Sequence, residues 1–256
     1  MASRRPGRGR AVALALYGAL SYVASLASFY VVFVWLAGPT ALGVALPLGF
    51  HLDDPAPPAS AATFVWNTAI MVAFALYHSI FARTVIKTRT RRLIGRHLER
   101  VTYNLMSAVL AVLLCLLWRP MPGVVWEAPT ATLAQAIVAA YVGLWIVHLT
   151  SIVLMDHHDF FGLRQVGLAM RGEPFRPLPP ISHRYYLWTR LTLVISLALI
   201  PWAAPVITVG RLHFALFMTA YIALGAWLSN RDPGDVATVP AVATSEDDVL
   251  RLTHRA

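Results

Sequence analysis

Six stretches of the chain are apolar enough, and sustained enough, to cross a membrane, and each is closed by a polar or proline-bearing segment. They cover residues 11–37, 62–82, 101–118, 132–155, 186–200 and 212–228. A helix spanning the hydrocarbon needs about 20 mostly apolar residues. The fifth stretch is short of that and ends at PWAAP (201–205), whose prolines cannot continue a helix without freeing a carbonyl. The fifth and sixth stretches therefore read as a hairpin. The pattern predicts an all-α polytopic membrane protein of about six transmembrane helices with a C-terminal helical hairpin. It forms one domain over residues 1–232, followed by a polar, mobile tail over 233–256.

Composition agrees. The chain of 256 residues is 58% hydrophobic and 13% charged, with a mean hydropathy of +0.62, where a soluble domain carries about 25% charged residues. The net charge of +9 could suggest nucleic acid, but its distribution assigns it to membrane orientation. Four Arg precede the first stretch, seven Arg and Lys lie in 83–100, five Arg in 156–190 and three in the tail. If six helices alternate, these share one side, and only Arg119 and Arg211 fall on the other. The excess of basic residues on one side predicts that both termini face the cytoplasm, in the inner membrane, with loop 38–61 facing outward. The N-terminus imitates a secretory signal, but its apolar run reaches Ala37, too long for one, and reads as a retained first helix. The single Cys115 excludes a disulfide framework and reads as a packing thiol.

Ionisable groups inside spans are costly in lipid and are functional candidates by default. His78 lies five residues before Arg83, roughly 7 Å below the surface, and His148 eight before Asp156, roughly 12 Å deep. With His157, His158 and His183 they can converge in the cytoplasmic half. Two readings stand: hydrogen-bonded packing between helices, or a polar pocket open to the cytoplasm. The stretch DHHDFFGLRQ (156–165) offers metal-ligand types, but adjacent helical residues point about 100° apart, and no span carries HxxxH or HExxH spacing. Its FFG anchors the chain at the lipid boundary and permits a tight turn, and LRQVGLAMRG (163–172) reads as a short interfacial helix.

From about Ala62 to Asp232 the chain resembles bacterial methanethiol S-methyltransferases, relatives of NnrU-like proteins and of the isoprenylcysteine carboxyl methyltransferase superfamily. The resemblance is carried by YHSIFAR (77–83), ERVTYNLMS (99–107), WRPMPGVVWE (118–127), DHHDFFGLRQV (156–166), RGEPFRPLPP (171–180) and PWAAPVITVGRLHFALFMTAYIALG (201–225). It implies a membrane enzyme that uses S-adenosyl-L-methionine to methylate a small thiol such as methanethiol, with lipid and no nucleic acid as its surroundings. The superfamily's Arg-His-Pro falls on Arg190, Leu191 and Thr192, and its Glu-Glu pair on Ser229 and Asn230, ahead of matching Arg231 and Asp232. Candidate cofactor contacts are thus Arg190, Asn230 and Asp232, with His183 and Arg184 nearby. Candidate bases for the thiol are His157 and His158, then His78; Asp159, Arg164 and Gln165 are candidate substrate contacts. No metal is implied. The departures keep a second class open, a non-catalytic member of the fold that binds a ligand, lipid or partner. The NnrU-like relatives keep open a third, a redox or haem-associated protein.

Overall fold

The computed structural model describes residues 6–38, 49–176 and 183–231, apart from the side chains at 82, 84, 85, 183, 184, 186, 187 and 229–231. The expectations for the tail 233–256 and for Asp232 lie outside the described residues.

The chain is a polytopic helical protein. Helices α1 (Arg8–Ala37), α2 (Ala61–Ala82), α4 (Glu99–Leu117), α5 (Ala131–Leu154) and α9 (Val209–Arg231) each contain a segment long and apolar enough to cross a membrane. The fifth expected span, α8 (His183–Leu199), has 17 residues, about 25 Å of helix. It continues through a 3₁₀ turn, Ile200–Trp202, which accommodates Pro201. Short amphipathic helices fill the loops at one end: α3 (Thr84–Ile94), α6 (His157–Phe160) and α7 (Leu163–Arg171). The outward faces are apolar, with Leu16, Val65 and Ile146 at least 60% exposed, as lipid-facing surfaces should be.

Helix termini are closed by side chains from neighbouring elements. Ser60 and Thr130 cap α2 and α5 by accepting from the backbone N–H groups of Thr63 and Leu133. Asn67, fully buried on α2, donates to the Arg119 carbonyl at 2.8 Å and accepts from the Arg119 N–H at 3.0 Å. Trp66 donates to the Leu117 carbonyl at 2.8 Å. The Leu117 carbonyl that the end of α4 leaves open, and the Arg119 carbonyl just beyond it, are thereby satisfied.

No alternating pattern along the chain hints at strands. Yet β1 (Val124–Glu127) pairs antiparallel with β2 (Val206–Thr208), with a register irregularity between Val124 and Trp126. Four and three residues are too few for an alternating pattern to register, and the partners lie some 80 positions apart. The ribbon joins the α4–α5 connection to the α8–α9 turn. Beside it sits Arg211, 2% exposed, donating to Asp53 from Nε (2.8 Å) and Nη2 (2.5 Å) and to the Leu36 carbonyl. Thr208 donates to the other Asp53 oxygen and accepts from the Arg211 N–H. One guanidinium thus ties the ends of α1 and α9 to the 51–54 loop. The two Arg expected opposite the basic loops, Arg119 and Arg211, do lie together at this end of the bundle.

Asp53→Asn leaves that buried guanidinium short of a counter-charge and is expected to cost about 3 kcal/mol. Thermal or denaturant unfolding in detergent measures it; an unchanged midpoint would show that the pair contributes nothing net.

Candidate functional site

At the opposite end, DHHDFFGLRQ folds as a compact return loop. Asp156 takes the left-handed conformation (φ 65°) and its carboxylate accepts from the N–H groups of His158 and Asp159, starting α6. Gly162 (φ 82°) then turns the chain into α7. A Cβ there would stand 2.7 Å from the Val101 backbone nitrogen, so only glycine lets the loop seat on α4. Phe161 packs edge-on against Tyr22 and Phe29 of α1, and Asn104 donates to the Phe160 carbonyl at 2.8 Å. The expected interfacial helix is α7, with Gln165, Val166 and Leu168 buried.

The hub of the loop is Asp159, 6% exposed. Its Oδ1 accepts from Arg164 Nε (2.8 Å) and Gln165 Nε2 (2.7 Å), and its Oδ2 from Arg100 Nη1 (2.5 Å). Arg164 also donates to the Arg176 carbonyl. Nearby, Glu99 accepts from Arg91 at 2.9 Å, fixing α3 against α4.

Behind this loop lies a cavity of about 580 Å³ enclosed by α1, α2, α4, α5, α8 and α9. Its α4 wall runs from Glu99 to Cys115, sixteen positions or about 24 Å of helix. Polarity changes along that wall: Glu99, Arg100, Tyr103, Asn104 and Ser107 come first, then Ala108, Ala111, Leu114 and Cys115. Two other helices follow the same gradient. On α1, Ser25 and Ser28 give way to Val32 and Trp35, and on α9, Tyr221 gives way to Met218 and Phe214.

His78 and His148 both line this cavity, from α2 and α5. His148 faces Ser196 Oγ (3.2 Å) and the Leu193 carbonyl (3.3 Å) through Nδ1, stitching α5 to α8. The His78 ring lies 4.6 Å from that of Phe74 and 5.6 Å from that of Tyr103. His78 Nδ1 is buried and has no hydrogen-bond partner among the described residues, while Ser107 and Trp145 have Tyr103 and Tyr141 as side-chain neighbours. A buried polar atom left unpaired costs about 1–3 kcal/mol, which makes His78 Nδ1 the candidate contact for a ligand in this cavity.

The sequence candidates separate on this geometry. Asp159 joins His78 on the cavity wall. His157 and His158 are not among the lining residues; their rings stack on each other 3.9 Å apart, and the His158 side chain is 62% exposed. Arg164 and Gln165 stand behind Asp159 as its donors. Arg190 is half-buried on α8, one turn before lining residue Leu193. The side chains of His183, Arg184 and Asn230, and all of Asp232, fall outside the described residues. Sequence reasoning passed over Arg100, Tyr103, Asn104 and Ser107. Their spacing of three and four residues puts them on one face of a span, a signal present in ERVTYNLMS. Among the described residues no three His, Cys, Asp or Glu side chains converge to hold a metal ion.

Fold and cavity together define a polytopic helical membrane protein with an interior cavity that is lined by charged residues at one end and apolar ones at the other. No family model matches the chain and no solved structure matches it. Its relatives are nonetheless clear. It is 33% identical over 222 residues to the methanethiol S-methyltransferase of Mycobacterium tuberculosis, covering 85% of this chain and 86% of that one. It is 31% identical over 217 residues to methanethiol S-methyltransferase 1 of Bradyrhizobium diazoefficiens, covering 85% and 74%. It is also 27% identical over 179 residues to Nurim of Rattus norvegicus, covering 67% and 68%. The chain belongs to the methanethiol S-methyltransferase family.

Gly162→Ala combines a left-handed φ with the Val101 clash and is expected to cost about 2 kcal/mol or more. It should also loosen α7 from α1, read as faster hydrogen exchange over 157–171. Wild-type protection and stability in that variant would show that the loop does not depend on this seat.

Proposed function

We propose that this protein is a membrane methyltransferase that transfers a methyl group from S-adenosyl-L-methionine to a small thiol such as methanethiol inside the α4-lined cavity. The observation that carries the reading is the unpartnered His78 Nδ1 on the wall of a ligand-sized cavity, in a chain of this family. Cavities of 300–1,000 Å³ with apolar walls and a few converging polar groups are the usual form of a small-molecule site.

The residues present fit the donor's chemistry. Arg100 and Lys87, with Glu99, give the charged end both signs for an amino-acid carboxylate and ammonium. Asn104 and Ser107 supply polar atoms for a ribose diol, and the rings of Phe74 and Tyr103 supply faces for a cationic sulfur. When bound, S-adenosyl-L-methionine supplies a methyl group on a positively charged sulfur. The protein's task is then to place the thiol in line with that methyl and to remove its proton. His78 is the base in this reading: Nδ1 accepts the thiol proton, the sulfur gains the methyl, and the product is a thioether. His157 and His158, outside the cavity, serve the loop. Arg164 and Gln165 act through Asp159, holding Arg100 in place. Arg190, His183, Arg184, Asn230 and Asp232 remain proposed contacts at the cofactor end.

A second reading is ligand binding without turnover, favoured by Leu191, Thr192, Ser229 and Asn230 in the positions of the superfamily's cofactor motif. The placement we propose in the cell is the cytoplasmic membrane, with the charged cavity end and both termini facing the cytoplasm. It is supported by the basic residues of α3 and α7 clustering at that end.

Purified protein supplied with S-adenosyl-L-methionine and methanethiol is expected to release dimethyl sulfide, measured in the headspace. His78→Ala should lower turnover about a hundredfold, while His157→Ala and His158→Ala stay near the wild-type rate. Folded protein that binds the donor yet yields no product supports the second reading. Full activity in His78→Ala removes His78 as the base.

A further inference from the structure

The cavity that would take both donor and thiol ends in an apolar stretch. From Ser107 to Cys115 the α4 wall offers eight residues, about 12 Å, without a charged or strongly polar side chain. Facing it are Val32 and Trp35 of α1, Phe214 and Met218 of α9, and Leu197 of α8. The groups that suit an ionic donor lie at the other end, where the unpaired His78 Nδ1 sits beside Tyr103. A sulfur held by His78 there would have its substituent directed away from the charges, into the apolar floor. Methanethiol fills only the first few ångströms of it.

We infer that the floor of the cavity is an acceptor-chain subsite, and that the preferred substrates are apolar thiols with several carbons. The inference rests on the methyltransferase reading of the same cavity. The step is unchanged by the longer chain. The thiol loses its proton to His78, a new S–CH₃ bond forms as the donor's S–CH₃ bond breaks, and an alkyl methyl sulfide leaves with the demethylated donor. Burying each extra methylene in such a floor strengthens binding about fourfold until the floor is full.

The test has two arms. In the first, kcat/KM is measured for methanethiol, ethanethiol, propanethiol and butanethiol with saturating S-adenosyl-L-methionine. The expected result is a rise of roughly fourfold per carbon, and a much smaller butanethiol-to-methanethiol ratio in Ala111→Leu, which shortens the floor. A flat or falling series in a protein that methylates methanethiol overturns the subsite and leaves the methyltransferase reading standing. The second arm needs no turnover: thermal stabilisation of the protein by methyl ethyl, methyl butyl and methyl hexyl sulfides, compared with Ala111→Leu. Stabilisation that grows with chain length in wild type and not in the variant supports the subsite even if no thiol is methylated. Equal stabilisation in both proteins overturns it. A marked loss of S-adenosylhomocysteine affinity in Ala111→Leu overturns it too, because the floor would then hold the donor's base.

Discussion

One buried carboxylate organises the end of the molecule where chemistry is proposed. Asp159 gathers a guanidinium from α4 and, from α7, a second guanidinium and an amide. A lone charge at that depth would carry a desolvation penalty of several kcal/mol, so the loop is stable only when all three donors arrive together. Meeting that condition seats α6 and α7 on the start of α4, closes the bundle behind them, and holds Arg100 at the charged end of the cavity. The opposite end follows the same logic with the signs reversed. There a buried guanidinium, Arg211, gathers the Asp53 carboxylate and backbone carbonyls. Two satisfied ionic hubs therefore fix the ends of a bundle whose lipid-facing sides are apolar.

Between the hubs, membrane physics and ligand physics use different faces of the same helices. α4 turns Met106, Val109, Leu113 and Leu116 outward, each at least 41% exposed, and presents Tyr103, Asn104 and Ser107 to the interior. Hydrocarbon cannot satisfy those inward groups, and a protein core would ordinarily pair them. His78 keeps a polar atom unpaired beside Tyr103, in the polar part of the lining. That combination gives the cavity a direction, with ionic recognition at one end and chain recognition at the other.

The spans were legible because each is a long apolar run, and their limits agree with the helices to within a few residues. The shortness of the fifth span was legible from PWAAP. The basic loops correctly grouped 83–100 with 156–176, which the structure joins through Arg100–Asp159 and His97–Glu173. The β ribbon was not legible, because its pairing is long-range and each strand is shorter than any readable pattern. Within the site, His78 and His148 stood out as imidazoles in spans, and both reach the cavity. His157 and His158 stood out equally, but a four-residue helix started by a left-handed Asp156 turns them away from it. Arg100 escaped notice because it lies among six other basic residues that topology alone explains. Its role becomes visible only when Asp159, 59 positions later, is set beside it.

The central claim is that this cavity is a cofactor-and-thiol site. Calorimetric titration of the purified protein with S-adenosylhomocysteine tests it most directly. The account predicts saturable binding at one site per chain, weakened at least tenfold when Arg100 is replaced by Met. Absence of binding to folded protein, or equal affinity in Arg100→Met, would contradict it.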